Sequence, residues 1–208
     1  MIKAVIFDVD GVLINSLKAN FKFFGDLMSK FGYGFMKIEE YSLLFHAPMK
    51  DIIKYSTKLE DEKEIERIWL SGKNKEVSYP NEFLGTPEKL EEIIQSLSEN
   101  YTLGIVTGRS RNSIYSIPHL SKLKYFFKFN VAYEDTEQHK PHPAPLLLIV
   151  EKLKVLPEEC VYIGDSEIDI IAAKAAGMKS IIYHQERLAN ADANTLSFEK
   201  LPKIIKSI

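Results

Sequence analysis

The 208-residue sequence is short of several things. It has one cysteine, Cys160, which excludes an internal disulfide framework and makes a reducing cytoplasm the expected setting. Neither sign of charge dominates: 27 Lys and Arg stand against 29 Asp and Glu, a net charge of -2. The broad basic footprint of non-specific nucleic-acid binding is missing, so no nucleic-acid partner is expected. Apolar runs such as Pro145 to Val150 fall far below the ~20 residues that span a bilayer. The opening Met1-Ile2-Lys3-Ala4-Val5-Ile6-Phe7 turns acidic at once, so neither a signal peptide nor a membrane partner is expected. Internal repeats and low-complexity segments are also absent.

What is present is a chain 45% hydrophobic and 27% charged, enough for a substantial core. Its length fits one domain carrying a large insertion, or two small domains. Five short β-branched runs predict buried parallel strands: Ala4 to Val9, Leu103 to Thr107, roughly Phe129 to Tyr133, Val161 to Gly164, and Ser180 to Tyr183. Helical patterns separate most of them. Pro87 to Leu97 places Leu90, Ile93, Ile94 and Leu97 on one face. Pro145 to Leu153 follows two prolines that suit a helix first turn. Ile168 to Ala176 stops at Gly177. Alternating strands and helices predict an α/β fold, a Rossmann-like parallel sheet with helices on both faces.

The interval between the first two strands breaks this rhythm. It carries only helical periodicity: a stripe of Phe21, Phe24, Leu27, Met28 and Phe31, then Ile52, Ile53 and Tyr55, then Ile65, Ile68, Trp69 and Leu70. A stretch this long is no ordinary crossover connection. It predicts an inserted all-helical domain over 15–79, with the α/β core formed by 1–14 and 80–208.

Four polar clusters carry the chemistry. Asp8-Val9-Asp10-Gly11 ends the first strand, and open α/β sheets bind ligands beyond the carboxyl ends of their strands. One carboxylate there can attack phosphorus and the other can move protons; Asp and Gly are also ordinary turn residues. Thr107-Gly108-Arg109 offers a hydroxyl and backbone N–H groups to a phosphate oxygen; Arg109 and Arg111 can add positive charge, at least one of them being expected to stand solvated, and Thr-Gly is also a common loop. Lys140, in Gln138-His139-Lys140-Pro141-His142-Pro143, can offset negative charge crowded around a phosphate ester. His139 and His142 invite a metal reading, but no further Cys or His lies at ligand spacing, and surface loop histidines are expected. Gly164-Asp165-Ser166-Glu167-Ile168-Asp169 opens a helix with hard oxygen donors that suit magnesium; acidic residues also cap helices.

The order carboxylate pair, hydroxyl, lysine, carboxylate pair resembles the haloacid-dehalogenase-like hydrolase superfamily over the whole chain. The inserted helical segment is similar to the helical cap of its phosphoglycolate-phosphatase-like and β-phosphoglucomutase-like members. The resemblance implies Asp8 as nucleophile and Asp10 as general acid and base. It implies Thr107 and Lys140 on the transferring phosphoryl group, helped by Gly11 and Gly108. It also implies Mg²⁺ on Asp8, the Asp10 carbonyl oxygen and Asp165, with Asp169 behind them. Members that cleave carbon–halogen bonds lack the second aspartate, so Asp10 points to phosphate chemistry. Many relatives carry Asp-Ser where this chain has Asn15-Ser16, a change at the cap hinge that bears on substrate gating.

The implied activity is magnesium-dependent hydrolysis of a small phosphorylated metabolite. A β-phosphoglucomutase-like phosphomutase or a pyrophosphatase is the alternative. The Leu44 to Lys50 segment resembles the part of the cap that faces substrate, which makes His46 and Lys50, with Arg109, candidate substrate contacts; a solvated helix start is the other reading. A phospho-accepting receiver module shares an aspartate, hydroxyl, lysine and magnesium. It would carry its phosphorylated aspartate on a middle strand, where this chain has Thr107, and it would lack the helical insertion. Oligomeric state is not encoded in these motifs.

Overall fold

The structure, a computed structural model, describes residues 1–183 and 187–208. The chain divides into two compact units, one of Met1–Asn15 with Thr86–Ile208, the other of Ser16–Gly85.

The first unit is built on parallel strands in which β-branched and aromatic side chains are buried on both faces. In chain order its elements are β1 (Ala4–Phe7), and, after the second unit, a helix at Leu90–Ser98, β2 (Thr102–Val106), short helices at Arg111–Ile114 and Pro118–Leu123, and β3 (Phe127–Val131). There follow a helix at Ala144–Leu153, β4 (Cys160–Gly164), a helix at Glu167–Ala175, β5 (Lys179–Tyr183), β6 (Ala193–Thr195) and a final helix at Leu201–Ser207. Among the described residues the strands form one sheet in the order β3-β2-β1-β4-β5-β6, every pairing parallel.

Alternate residues of β1 serve opposite faces. Ala4 and Ile6 join Leu146, Ile149 and Leu153 of the Ala144–Leu153 helix and Ala172 and Ala173 of the Glu167–Ala175 helix. On the other side the Phe7 ring meets Phe127 edge-on at 6.1 Å and Phe198 at 6.4 Å. The expected α/β fold with a Rossmann-like parallel sheet is the observed one. Its strand order reverses direction between β1 and β4, where such sheets bind ligands.

The strand bounds differ in detail. β1 stops at Phe7 rather than Val9, because Val9 turns back into the loop that follows. β3 begins at Phe127 rather than Phe129. It is an edge strand whose Lys128 and Phe129 are exposed, so its buried ends, Phe127 and Val131, are not one apolar run. β6 is a three-residue Ala-Asn-Thr strand too short and polar for a periodicity signal. The helix expected from Pro87 starts at Leu90, after Lys89 with φ 54°.

The second unit is all-helical: α1 (Leu17–Lys30), α2 (Ile38–Ser42), α3 (Met49–Thr57), α4 (Glu62–Lys73) and a single 3₁₀ turn at Asn81–Phe83. To keep chain order, the first unit's helices are then α5 (Leu90–Ser98), α6 (Arg111–Ile114), α7 (Pro118–Leu123), α8 (Ala144–Leu153), α9 (Glu167–Ala175) and α10 (Leu201–Ser207). α1 buries Phe24, Leu27 and Met28 against Ile53 of α3 and Ile65 and Ile68 of α4, and against Tyr41 and Ile52. Tyr55 and Leu70, expected on the apolar stripes, are each 41% exposed. On α4 the buried face runs through Ile65, Ile68, Ser71 and Gly72, and Leu70 falls off that spacing. No helix among the described residues is long and apolar enough to cross a membrane.

Candidate active site

Three adjacent strands run into polar residues at one edge of the sheet: β1 into Asp8, β2 into Thr107, β4 into Asp165. The Asp8 N–H donates to the Ile163 carbonyl at 2.9 Å and the Thr107 N–H to the Val131 carbonyl at 3.0 Å, so both residues are held as strand extensions.

After Asp8 the chain folds into a tight turn. The N–H groups of Leu13 and Ile14 both donate to the Val9 carbonyl at 2.9 Å, and the Gly11 N–H donates to the Ile14 carbonyl at 2.8 Å. Val9, Val12, Leu13 and Ile14 are fully buried and anchor the turn. Gly11 has φ +77°, and a Cβ there would fall 1.7 Å from Asp165 Oδ2. Glycine is required at this point by conformation and by space.

Lys140 is the hub. Its Nζ lies 2.7 Å from Asp8 Oδ2, 2.7 Å from Asp169 Oδ1 and 2.7 Å from the Tyr162 hydroxyl oxygen. These three acceptors use the three donors of an ammonium. Burial opposes its charge, but Asp169 and Asp8 outweigh that and hold the Lys140 pKa well above its ordinary value. The Tyr162 hydroxyl donates in turn to the Val106 carbonyl at 3.2 Å, tying the end of β4 to the end of β2. Burial and then the Asp8 charge push the Tyr162 phenol far up, so it stays protonated.

Asp169 sits in the first turn of α9, whose N-cap is Ser166. Its Oδ2 accepts from the Asp165 N–H at 3.1 Å, the Ser166 N–H at 3.1 Å and the Ser166 hydroxyl at 2.7 Å. Gly164 makes room for it: a Cβ there would meet the Asp169 Cβ at 2.4 Å. Burial raises the Asp169 pKa, but Lys140, Ser166 and the Asp165 N–H together bring it below the ordinary value. Asp8, also bonded to Lys140, moves the other way, to about 6. Burial raises it, Lys140 lowers it, and the charge on Asp169 raises it again. The opposite directions follow the number of donors, four on Asp169 against two on Asp8, from Lys140 and the Val9 N–H. Asp165 is pushed well above its ordinary value by burial and by the charges of Asp169 and Asp8.

Oxygens of Asp8, Asp165 and Asp169 lie within 4.8 Å of one another. Three buried carboxylates offering only hard oxygen donors, two of them driven toward protonation by burial and then by neighbouring negative charge, form a donor set that a divalent magnesium ion fits. Asp8 and Asp165 are the members of this set better suited to direct ligation: Asp169 already accepts four hydrogen bonds, three of them at Oδ2, whereas Asp8 accepts one at each oxygen and keeps a lone pair on both.

The Asp10 carboxylate stands apart from this cluster. Its Oδ2 lies 2.7 Å from Arg109 Nε and its Oδ1 2.7 Å from Arg109 Nη2, a bidentate ion pair with side chains 22% and 12% exposed. The Arg109 N–H donates to Thr107 Oγ1 at 3.2 Å. A Cβ on Gly108 would meet no atom within 4 Å.

Other residues singled out in the sequence lie elsewhere. Arg111 pairs with Asp135, and its N–H donates to Glu134 at 2.9 Å. His139 stacks on Tyr133 at 4.0 Å, and His142 Nδ1 accepts the Ala144 N–H at 3.2 Å at the start of α8; neither joins the carboxylates. His46 and Lys50 belong to the helical unit. There His46 packs edge-on against Phe45, and Lys50 pairs with Glu66 at 2.5 Å over the Trp69 ring. Tyr162 is the site residue that sequence reasoning missed, since a tyrosine inside an apolar strand reads as core.

A parallel sheet whose reversal point gathers a carboxylate pair, a hydroxyl, a lysine and a second carboxylate pair has the make-up of a hydrolase site. The chain belongs to the haloacid dehalogenase-like hydrolase family, whose model matches residues 5–183. It is 31% identical over 180 residues to the pyrophosphatase PpaX of Bacillus cereus, covering 86% of this chain and 82% of that protein. The fold is shared with CbbY of Rhodobacter sphaeroides in complex with phosphate, with TM-score 0.81 and 23% identity, over 97% of this chain and 96% of that one. It is shared equally with β-phosphoglucomutase of Clostridium difficile, with TM-score 0.81 and 23% identity, over 100% and 96%.

Proposed function

We propose that this hydrolase is a magnesium-dependent phosphatase that cleaves a small phosphorylated metabolite through an aspartyl phosphate on Asp8. The observation that carries the reading is the Lys140 ammonium at 2.7 Å from Asp8, at the carboxyl end of β1 and beside the Asp165 carboxylate. In this reading the helical unit is the cap.

Asp8 attacks phosphorus in line, forming a carboxylate–phosphorus bond as the ester oxygen–phosphorus bond breaks. Asp10 gives its proton to the departing oxygen. Lys140 and Thr107 hold the phosphoryl oxygens, with N–H groups around Gly11 and Gly108 as further donors. Asp10 then takes a proton from the water that cleaves the acyl phosphate, which returns Asp8 as a carboxylate and releases phosphate. Magnesium, held by Asp8, the Asp10 carbonyl oxygen and Asp165, would neutralise charge on the phosphoryl oxygens. Asp169 orients this set by holding Lys140 and the Asp165 and Ser166 N–H groups.

Hydrolysis of p-nitrophenyl phosphate with and without magnesium tests the reading. Turnover should require the metal and vanish in Asp8→Asn and Asp10→Asn; a wild-type rate from Asp8→Asn would overturn it. A second reading, cleavage of inorganic pyrophosphate, is favoured by the 31% identity to PpaX. A panel of pyrophosphate, glycolate phosphate and glucose 1-phosphate decides between them by relative kcat/KM, and isomerisation of glucose 1-phosphate without phosphate release would show a phosphomutase.

A further inference from the structure

We propose that Tyr162 is a positioning residue for phosphoryl transfer, its hydroxyl holding Lys140 and Thr107 in register with each other; this rests on the phosphatase reading above. The Tyr162 ring is fully buried in the cluster that Ile6 and Val106 form with Leu146 of α8 and Ala172 of α9. A phenylalanine ring would fill that space as well, and a buried hydroxyl costs stability unless it is hydrogen-bonded. Here both its acceptor and its donor are used. Oη accepts from Lys140 Nζ at 2.7 Å and donates to the Val106 carbonyl at 3.2 Å.

The groups at the far ends of these two bonds give the hydroxyl its role. β1 lies between β2 and β4, so a phenol rooted on β4 reaches across the nucleophile's strand to β2. It meets the peptide unit that delivers Thr107. That unit is held at both ends, the Val106 carbonyl by Tyr162 and the Thr107 N–H by the Val131 carbonyl at 3.0 Å. A peptide unit is planar, so bonds at both ends limit its tilt, and with it the direction in which the Thr107 side chain leaves the backbone. The Thr107 hydroxyl accepts from the Arg109 N–H at 3.2 Å and has its own proton to donate to a phosphoryl oxygen. On the other side of the phenol, Lys140 stands against Asp8 Oδ2 at 2.7 Å. The path from ammonium to phenol to carbonyl thus joins the two phosphoryl-holding groups through two hydrogen bonds. In-line transfer spreads charge over three equatorial oxygens, so the relative placement of the groups that hold them counts most in the transition state. The phenol is expected to govern binding of a transition-state mimic and to change binding of phosphate itself little.

The test is isothermal titration of the full chain, at a fixed excess of magnesium, with phosphate and with orthovanadate, which can take the five-coordinate geometry of the transition state. The wild type should bind vanadate about a hundredfold or more tightly than phosphate. Tyr162→Phe should weaken vanadate about tenfold and phosphate about twofold or less. In a Thr107→Val background the same change should cost vanadate binding only about threefold or less, because the group it aligns is gone. Equal weakening of both probes, as from a hydroxyl that serves stability alone, overturns the proposal, and so does a tenfold loss that persists beside Thr107→Val. A wild type with no preference for vanadate overturns the phosphatase reading and the proposal with it; a preference that survives Tyr162→Phe overturns the proposal alone. Melting curves show whether the Phe variant folds. Where it does not, 4-aminophenylalanine at position 162 decides: its amine still donates to Val106 but accepts poorly from Lys140, and the same fall in the vanadate preference is expected.

Discussion

Lys140 and Asp169 meet at 2.7 Å with only 9% and 1% of their side chains exposed, so the lysine is locked from behind by an aspartate that water scarcely reaches. Removing one partner of a buried pair leaves the other charge uncompensated. Asp169→Ala is expected to destabilise the fold by about 3–5 kcal/mol. For a domain of this size that lowers Tm by roughly 6–20 °C. Turnover should fall as well, because Lys140 loses one of the two carboxylates that position it. Differential scanning calorimetry with p-nitrophenyl phosphate kinetics checks both; an unchanged Tm would count against the pair.

Tyr162→Phe removes the hydroxyl that accepts from Lys140 and donates to Val106. The ring stays, so packing is kept, while a buried ammonium loses one acceptor and a buried carbonyl its donor. The expected cost is about 1–3 kcal/mol, divided between a lower Tm and a kcat reduced roughly tenfold. Steady-state kinetics read beside melting curves settle it, and wild-type values for both would remove Tyr162 from the site.

Gly11→Ala forces a Cβ into the space of Asp165 Oδ2 on a backbone at φ +77°. Strain alone should cost roughly 1–3 kcal/mol. Because Asp165 must shift, magnesium affinity by isothermal titration should drop by about tenfold or more. Unaltered affinity would show that Asp165 does not bind the ion.

Asp192 gives a pH-dependent stability. Burial opposes its charge, but the Ser180 N–H at 2.9 Å and the Lys179 ammonium outweigh burial and hold its pKa below the ordinary value. A carboxyl depressed in the folded state stabilises above its unfolded pKa and ceases to as pH falls through the folded one. Asp192→Asn should therefore cost about 0.5–1.5 kcal/mol at pH 7. The gap to wild type should close as pH drops below about 4. Urea unfolding at several pH values measures it; a gap that widens toward low pH would refute it.

Much of the fold was legible because buried parallel strands are β-branched runs, and Ile6, Ile105 and Ile163 mark three of them. Legibility failed where burial is one-sided or brief. Phe129 is half exposed on the edge strand β3, and the three residues of β6 carry no period. α6 and α7 are too short for a stripe to show. At the site, Asp8, Thr107, Lys140 and Asp165 were readable because each follows a strand with a chemically distinctive side chain. The Asp10–Arg109 pair was not, since it joins residues 99 apart whose partnership depends on how two loops meet. Tyr162 was hidden for the opposite reason: its neighbours are apolar, and only the fold shows that its hydroxyl ends at a lysine 22 residues away.

β1 lies at the centre of the sheet, paired to β2 through Ala4 and Thr102 and to β4 through Ala4 and Cys160. It is made before the other strands of its sheet, its neighbours lying about 100 and 155 residues downstream, so at ordinary synthesis rates it waits roughly 5–20 s for β2 and longer for β4. Throughout that wait both edges of an apolar strand are open, and the chain being made is the helical unit, which buries Leu27, Ile53 and Ile65 among its own residues. A nascent chain that has emerged through Gly85 but not yet Thr102 therefore carries a bare Ala4–Phe7 strand, the segment that chaperones and aggregation would reach first.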